Sequence, residues 1–242
     1  MPSASLIIQV FEAIKGLPTA PWICLDLTAS RLEQTTVHRD VYLALATISI
    51  PLEKLAVNLA SLYGLEDFVD SDFETGVLAC CGSLDELNVD FQHELAEKHE
   101  SKKSMAAPAL PCRMIVAAHN LQILKIRMDL FEGLISLEHT RQVVRCLLVL
   151  EPGPGLRLME LSGISLKLET LFKAFDHSNS TVRTLVLEDI DLTSAEGVGW
   201  TTMLPSVSML PHLKGLSAAR LYDTDARINK GWMFAGTEER KE

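Results

Sequence analysis

Few residue groups in this sequence have the types and spacing that chemistry needs. His93-Glu94-Leu95-Ala96-Glu97 opens like the zinc-binding helix pattern His-Glu-x-x-His, but Glu97 stands where the second imidazole must be. His99 lies about 240° round a helix from His93, so the two rings would face apart. Cys80-Cys81 lacks the Cys-x-x-Cys spacing of metal and redox sites and reads as the buried end of a helix. Gly197-Val198-Gly199 is too short for a dinucleotide loop and reads as the turn before a helix at Trp200. Gly153 and Gly155 sit in a Pro-Gly turn that lacks the Lys-Ser/Thr of a phosphate loop, and no Gly-x-Ser-x-Gly occurs. The expectation is a chain with no catalytic residue, no metal and no cofactor.

A second set of residues is chemically plainer but regularly placed. Asn88, Asp90, Lys125, Arg127, Glu160, Ser162 and Glu188 alternate with apolar residues, as do Asp26, Thr28, Asn58 and Val186. Alternation at period two is the pattern of a strand buried on one face and wet on the other. Stacked strands would line these residues into a strip, with Asp90, then Lys125 and Arg127, then Glu160 in order along it. Such a strip offers a protein partner a local basic spot, anchored by Lys125 and Arg127, with acidic flanks.

The elements that position the strip come from a repeat. The pattern apolar, two residues, apolar, one residue, apolar returns along the chain. Its clearest copies are Leu84-Asp85-Glu86-Leu87-Asn88-Val89, Leu121-Gln122-Ile123-Leu124-Lys125-Ile126 and Val182-Arg183-Thr184-Leu185-Val186-Leu187. Copies also start at Trp22, Leu52, Leu156 and Leu213. The starts are 26 to 37 residues apart, mostly longer than the 20–29 residues usual for a leucine-rich repeat. Strands are therefore expected at 23–27, 54–58, 86–90, 123–127, 158–162, 184–188 and 214–218, with Leu124, Leu161, Leu185 and Leu187 in the core.

Between the copies run stripes at helical spacing: Phe68, Phe73, Val77 and Leu78; Ile115, Val116 and Ala118, entered after Pro111; Leu134, Leu137, Val144, Leu147 and Leu148; Leu168, Leu171, Phe172 and Phe175; Trp200, Met203, Leu204 and Val207. Alternating strand and helix fits either a doubly wound sheet or a solenoid. Strands covered on both faces read as continuous apolar runs, whereas these keep polar residues at every second place. The expected fold is α/β: a leucine-rich-repeat-like solenoid with a parallel concave sheet and convex helices.

Its expected parts are an N-terminal capping helix in residues 1–20, the irregular solenoid over 21–222 and a C-terminal tail over 223–242, frayed from Gly236. The polar run Gln92–Ser104 is expected to leave the repeat as a loop or exposed helix.

Composition agrees with one globular body. Of 242 residues, 48% are hydrophobic and 22% charged, and 39 are leucine while aromatics make up only 6%. The net charge of −10 repels phosphate backbones, which argues against a nucleic-acid partner. Five scattered cysteines do not form a disulfide framework, so the cytoplasm or nucleus is the expected location. No stretch is apolar for long enough to imply a membrane partner.

Trp22-Ile23-Cys24-Leu25-Asp26-Leu27-Thr28-Ala29-Ser30-Arg31-Leu32, followed by Val37-His38, resembles the opening repeat of leucine-rich proteins abundant in filamentous fungi. Leu185–Leu192 with the following Trp200, and Leu210-Pro211-His212-Leu213, are similar to their later repeats. Many such proteins are of the F-box or F-box-like type. The resemblance covers roughly residues 20–222 and implies a repeat domain that recognises proteins. The Leu-Pro-x-Glu opening of an F-box is missing, so the resemblance supplies no contact with a ubiquitin-ligase adaptor. The expected function is a non-enzymatic protein-interaction module. The alternatives are an enzyme on the same α/β scaffold, or a divergent product without a stable partner.

Overall fold

A computed structural model describes residues 4–17, 23–28, 35–58, 71–90, 109–128, 155–167, 181–194, 199–225 and 231–239. The chain divides into two compact units, residues 1–121 and 122–242.

In the first unit helices and strands alternate: α1 (Ala4–Lys15), β1 (Cys24–Leu27), α2 (Thr35–Ile48), β2 (Lys54–Asn58), α3 (Ser71–Cys81), β3 (Glu86–Asp90) and α4 (Ala109–Ala117). The three strands are parallel and in register, so Leu55 stands beside Leu25 and Leu87, and Val57 beside Leu27 and Val89. Leu55, Val57, Leu87 and Val89 are fully or almost fully buried, while Ala56, Asn58, Asn88 and Asp90 between them keep partial exposure. Each helix packs on the next in chain order. Phe11 of α1, Tyr42 and Leu45 of α2, and Phe73 and Val77 of α3 form the apolar side of that layer. Lys15 Nζ donates to the Ile48 carbonyl at 2.7 Å, and Arg113 of α4 pairs with Glu74 of α3 at 2.5 Å.

Cys80 and Cys81 end α3 as buried free thiols, as their apolar setting implies. Their Sγ atoms donate to the carbonyls of Leu45, Gly76 and Val77. Burial pushes Cys80 up to about 11 and Cys81 up to about 12, so both stay protonated and unreactive near neutrality. α4 begins two residues before Pro111 rather than after it, because proline in the first turn removes an N–H that has no helical partner. Val116, expected on its apolar side, is exposed.

In the second unit the strands are β4 (Ile123–Arg127), β5 (Leu158–Ser162), β6 (Ser165–Lys167), β7 (Thr184–Ser194), β8 (Gly215–Asp225) and β9 (Gly231–Glu239), with helix α5 (Trp200–Ser208) between β7 and β8. The order across the sheet is β4-β5-β7-β8-β9, with β6 also paired to β7. All pairings are parallel except that of β8 with β9. Leu124, Leu161, Leu185 and Leu187 have no exposed surface.

All seven expected strands are present, but β7 and β8 run far beyond 188 and 218. The reason is a step in the backbone. Gly163, Asp189 and Arg220 have positive φ of 69°, 52° and 50°. They stand at equivalent places, just past Ser162, Glu188 and Ala219, which are register partners. Across each step the buried position shifts by one: Leu161 is followed by Ile164, Leu187 by Ile190 and Ala218 by Leu221. The strand then continues with its faces exchanged. The tail is corrected too, since residues 231–239 pair with β8 in antiparallel register instead of fraying.

The helix stripes around Leu134–Leu148 and Leu168–Phe175, the polar run 92–104, Phe68 and Cys146 lie outside the described residues. Among those described, no helix is long and apolar enough to cross a membrane.

Candidate functional site

Each strand turns its apolar residues toward the buried side, which leaves the alternate residues on the other face. Hydrogen bonding in register then fixes which of these become neighbours. In the first unit Asn88 stands beside Ala56, and Asp90 beside Asn58, all half-buried. Lys54 and Glu86 form the row at the strand start, with an ion pair at 3.2 Å.

In the second unit, one row runs Lys125, Glu160, Val186 and Ser217. The next runs Arg127, Ser162, Glu188 and Ala219. Lys125 and Glu160, expected as neighbours of opposite charge, are thus brought side by side. Arg127 is exposed, and Lys125, Glu160 and Glu188 are half-buried.

Ser162 departs from the expectation of a wet position, being only 5% exposed. Its carbonyl accepts the Met128 N–H at 2.8 Å, and the chain turns at Gly163 to re-enter the sheet as β6. With so little exposed surface, the serine offers a partner little to contact.

The step in β7 and β8 adds residues that the repeat pattern did not single out. Arg220 reaches back to the neighbouring strand. Its Nε donates to Asp189 Oδ1 at 2.7 Å and one terminal nitrogen to Asp189 Oδ2 at 2.8 Å. The same nitrogen also pairs with Glu188. Asp189 first, and Glu188 with it, holds the guanidinium proton even more firmly than usual. One carboxylate of the row, Glu188, is therefore already engaged by an arginine of its own chain. The signal was in the sequence: the apolar spacing lengthens from two residues to three at Leu187–Ile190, and again at Ala218–Leu221. Beyond the step, Ser165 Oγ donates to Asp191 Oδ2 at 3.2 Å.

A different environment surrounds His38 on α2. The residue is 8% exposed and its Nδ1 has no hydrogen-bond partner. Burial lowers its proton affinity, and the nearby Asp26 carboxylate opposes that only in part. Asp26 is itself committed to Thr28, whose Oγ1 and backbone N–H donate at 2.5 and 2.9 Å and hold the carboxylate below its usual range.

The unfolded histidine binds a proton near pH 6.5, the buried one at lower pH. Stability contributed by neutral His38 is thus present above about pH 6.5 and is lost as pH falls toward the folded value. Thermal unfolding followed between neutral and mildly acid pH is expected to show this loss. His38→Leu should remove that part of the pH dependence.

Among the described residues, no three or more His, Cys, Asp or Glu side chains are grouped to hold a metal ion. No known protein family and no curated protein matches the chain.

Proposed function

We propose that the chain is a non-enzymatic binding module, an irregular leucine-rich-repeat solenoid whose open strand face takes a protein partner. It reads as a substrate-recognition repeat domain of the F-box-like type. The observation that carries this reading is the pair of in-register rows, Lys125-Glu160-Val186-Ser217 and Arg127-Ser162-Glu188-Ala219, on strands whose other face is buried. Sheet faces of solenoids are extended surfaces that side chains can vary without disturbing the core. Lys125 and Arg127 are its two cations on β4, so a partner presents carboxylates to them. The free buried thiols Cys80, Cys81 and Cys112 suit a reducing compartment, the cytoplasm or nucleus.

The test compares partners captured from native extract by wild type and by Lys125→Glu/Arg127→Glu. The double variant is expected to lose them while melting as wild type does. Added salt should weaken the wild-type contact, since exposed charges are screened over about 10 Å at 0.1 M. Capture of the same partners by both proteins would move the binding surface elsewhere.

A further inference from the structure

The second place of the repeat pattern carries a charge code. In the first unit it is filled by Ile23, Glu53 and Asp85, and in the second by Gln122, Arg157, Arg183 and Lys214. Backbone bonds hold these residues level at the start of the strands. The Gln122 carbonyl accepts the N–H groups of Arg157 and Leu158 at 2.8 and 3.0 Å. The Arg157 carbonyl accepts those of Arg183 and Thr184 at 2.8 and 2.9 Å. The Arg183 carbonyl accepts those of Lys214 and Gly215 at 2.8 and 3.0 Å. The residue before each cation, Leu156, Val182 and Leu213, is buried and anchors the rung. Arg157, Arg183 and Lys214 are all exposed. Among the described residues no carboxylate pairs with Arg157 or Arg183, and His212, also exposed, precedes Lys214 by two places.

We propose that this basic ladder, Arg157-Arg183-Lys214, is a second interaction surface, which takes an extended acidic peptide segment of a protein partner. Neighbouring strands lie about 4.8 Å apart, so the three cations span about 10 Å. Same-side residues of an extended chain repeat about every 6.6 Å, which lets two carboxylates reach the ladder at once. Guanidinium groups bind carboxylates through paired hydrogen bonds, and two of the three cations are arginine. A long polyanion fits less well. Nucleic-acid binding draws on many phosphate contacts along a backbone, and a chain of charge −10 repels such a backbone beyond this short ladder. The ladder is separate from the open-face rows and does not depend on them.

The test is fluorescence anisotropy of a labelled octaglutamate peptide with the full chain at low ionic strength. Wild type is expected to bind it, and added salt to weaken the binding. Arg157→Glu/Arg183→Glu should weaken it at least tenfold, about 1.4 kcal/mol. Arg157→Gln/Arg183→Gln, which adds no repulsion, should weaken it less but measurably and covers the case in which the reversed variant fails to fold. Lys125→Glu/Arg127→Glu, which reverses the carboxylate-binding cations of the open face, should weaken it less than Arg157→Glu/Arg183→Glu does, which separates the two surfaces. Absence of wild-type binding, equal binding by the glutamine variant, or loss only in the Lys125/Arg127 variant would overturn the proposal. Tighter binding of single-stranded DNA of equal charge would overturn the choice of a peptide.

Discussion

Trp200→Ala is expected to lower the stability of the second unit by about 3–5 kcal/mol, the range for truncating a buried aromatic. The indole has no exposed surface, and Met203 and Val207, on the same side of α5, are buried with it. Gly199, in extended conformation, is the N-cap, and its carbonyl accepts the Thr202 and Met203 N–H groups at 3.0 and 3.1 Å. The tryptophan thus enters as the first helical residue. Its Nε1 donates to the Tyr222 carbonyl of β8 at 3.0 Å, beyond the step at Arg220. Truncation removes a large apolar volume and also leaves that carbonyl without the indole donor. Trp200→Phe keeps most of the volume and loses the donor, so it should cost less than the alanine change. Denaturant melts of the three proteins check the order, and equal midpoints for wild type and Trp200→Ala would contradict it.

Gly76→Val is expected to cost about 3 kcal/mol, at the upper end of the usual range for overpacking. A Cβ at Gly76 would sit 2.4 Å from the Ala46 carbonyl oxygen and 2.7 Å from its Cα. Both are backbone atoms of α2, so relief requires moving one helix against the other. Cys80, one turn on, donates its thiol to the neighbouring Leu45 carbonyl and would shift with it. Alanine is the sharper comparison. It normally favours a helix over glycine by about 1 kcal/mol, yet here the collision should make it destabilising as well. Gly16→Ala is the control, because its nearest neighbours would be at 3.5 and 3.6 Å, ordinary contact. Thermal unfolding of the three variants should rank Gly76→Val lowest, with Gly16→Ala close to wild type.

The strands were legible because one apolar spacing recurs and its register is set by burial. Leu124, Leu161, Leu185 and Leu187 could be placed from that spacing alone, and all are inside. The ends of the strands were not legible, because the two-residue spacing breaks at the backbone step. The three-residue gaps at Leu161–Ile164, Leu187–Ile190 and Ala218–Leu221 mark the left-handed step. Only Gly163 is a residue type that announces a positive φ. Asp189 tolerates one, and Arg220 adopts it where its guanidinium meets Asp189 and Glu188. Ser162, at the wet place of the alternation, is buried just before the step at Gly163. For the site, alternation identified Lys125 and Glu160 as neighbours. The Arg220 clamp depends on a pairing between residues 31 apart and on a bend in both strands, which no local pattern encodes.

Among the described residues of the second unit β4 pairs with β5, β5 and β6 both pair with β7, β7 pairs with β8, and β9 folds back on the strand just before it. Among the described residues of this unit, no ladder joins distant parts of the chain. Opening can therefore proceed rung by rung from an end, and amide exchange in such a sheet is graded instead of all-or-none. Protection is expected to be greatest along β7 and β8, whose ladder continues past the step and is bordered on both sides. Glu188 and Arg220 stand on the part of the unit that holds its shape longest.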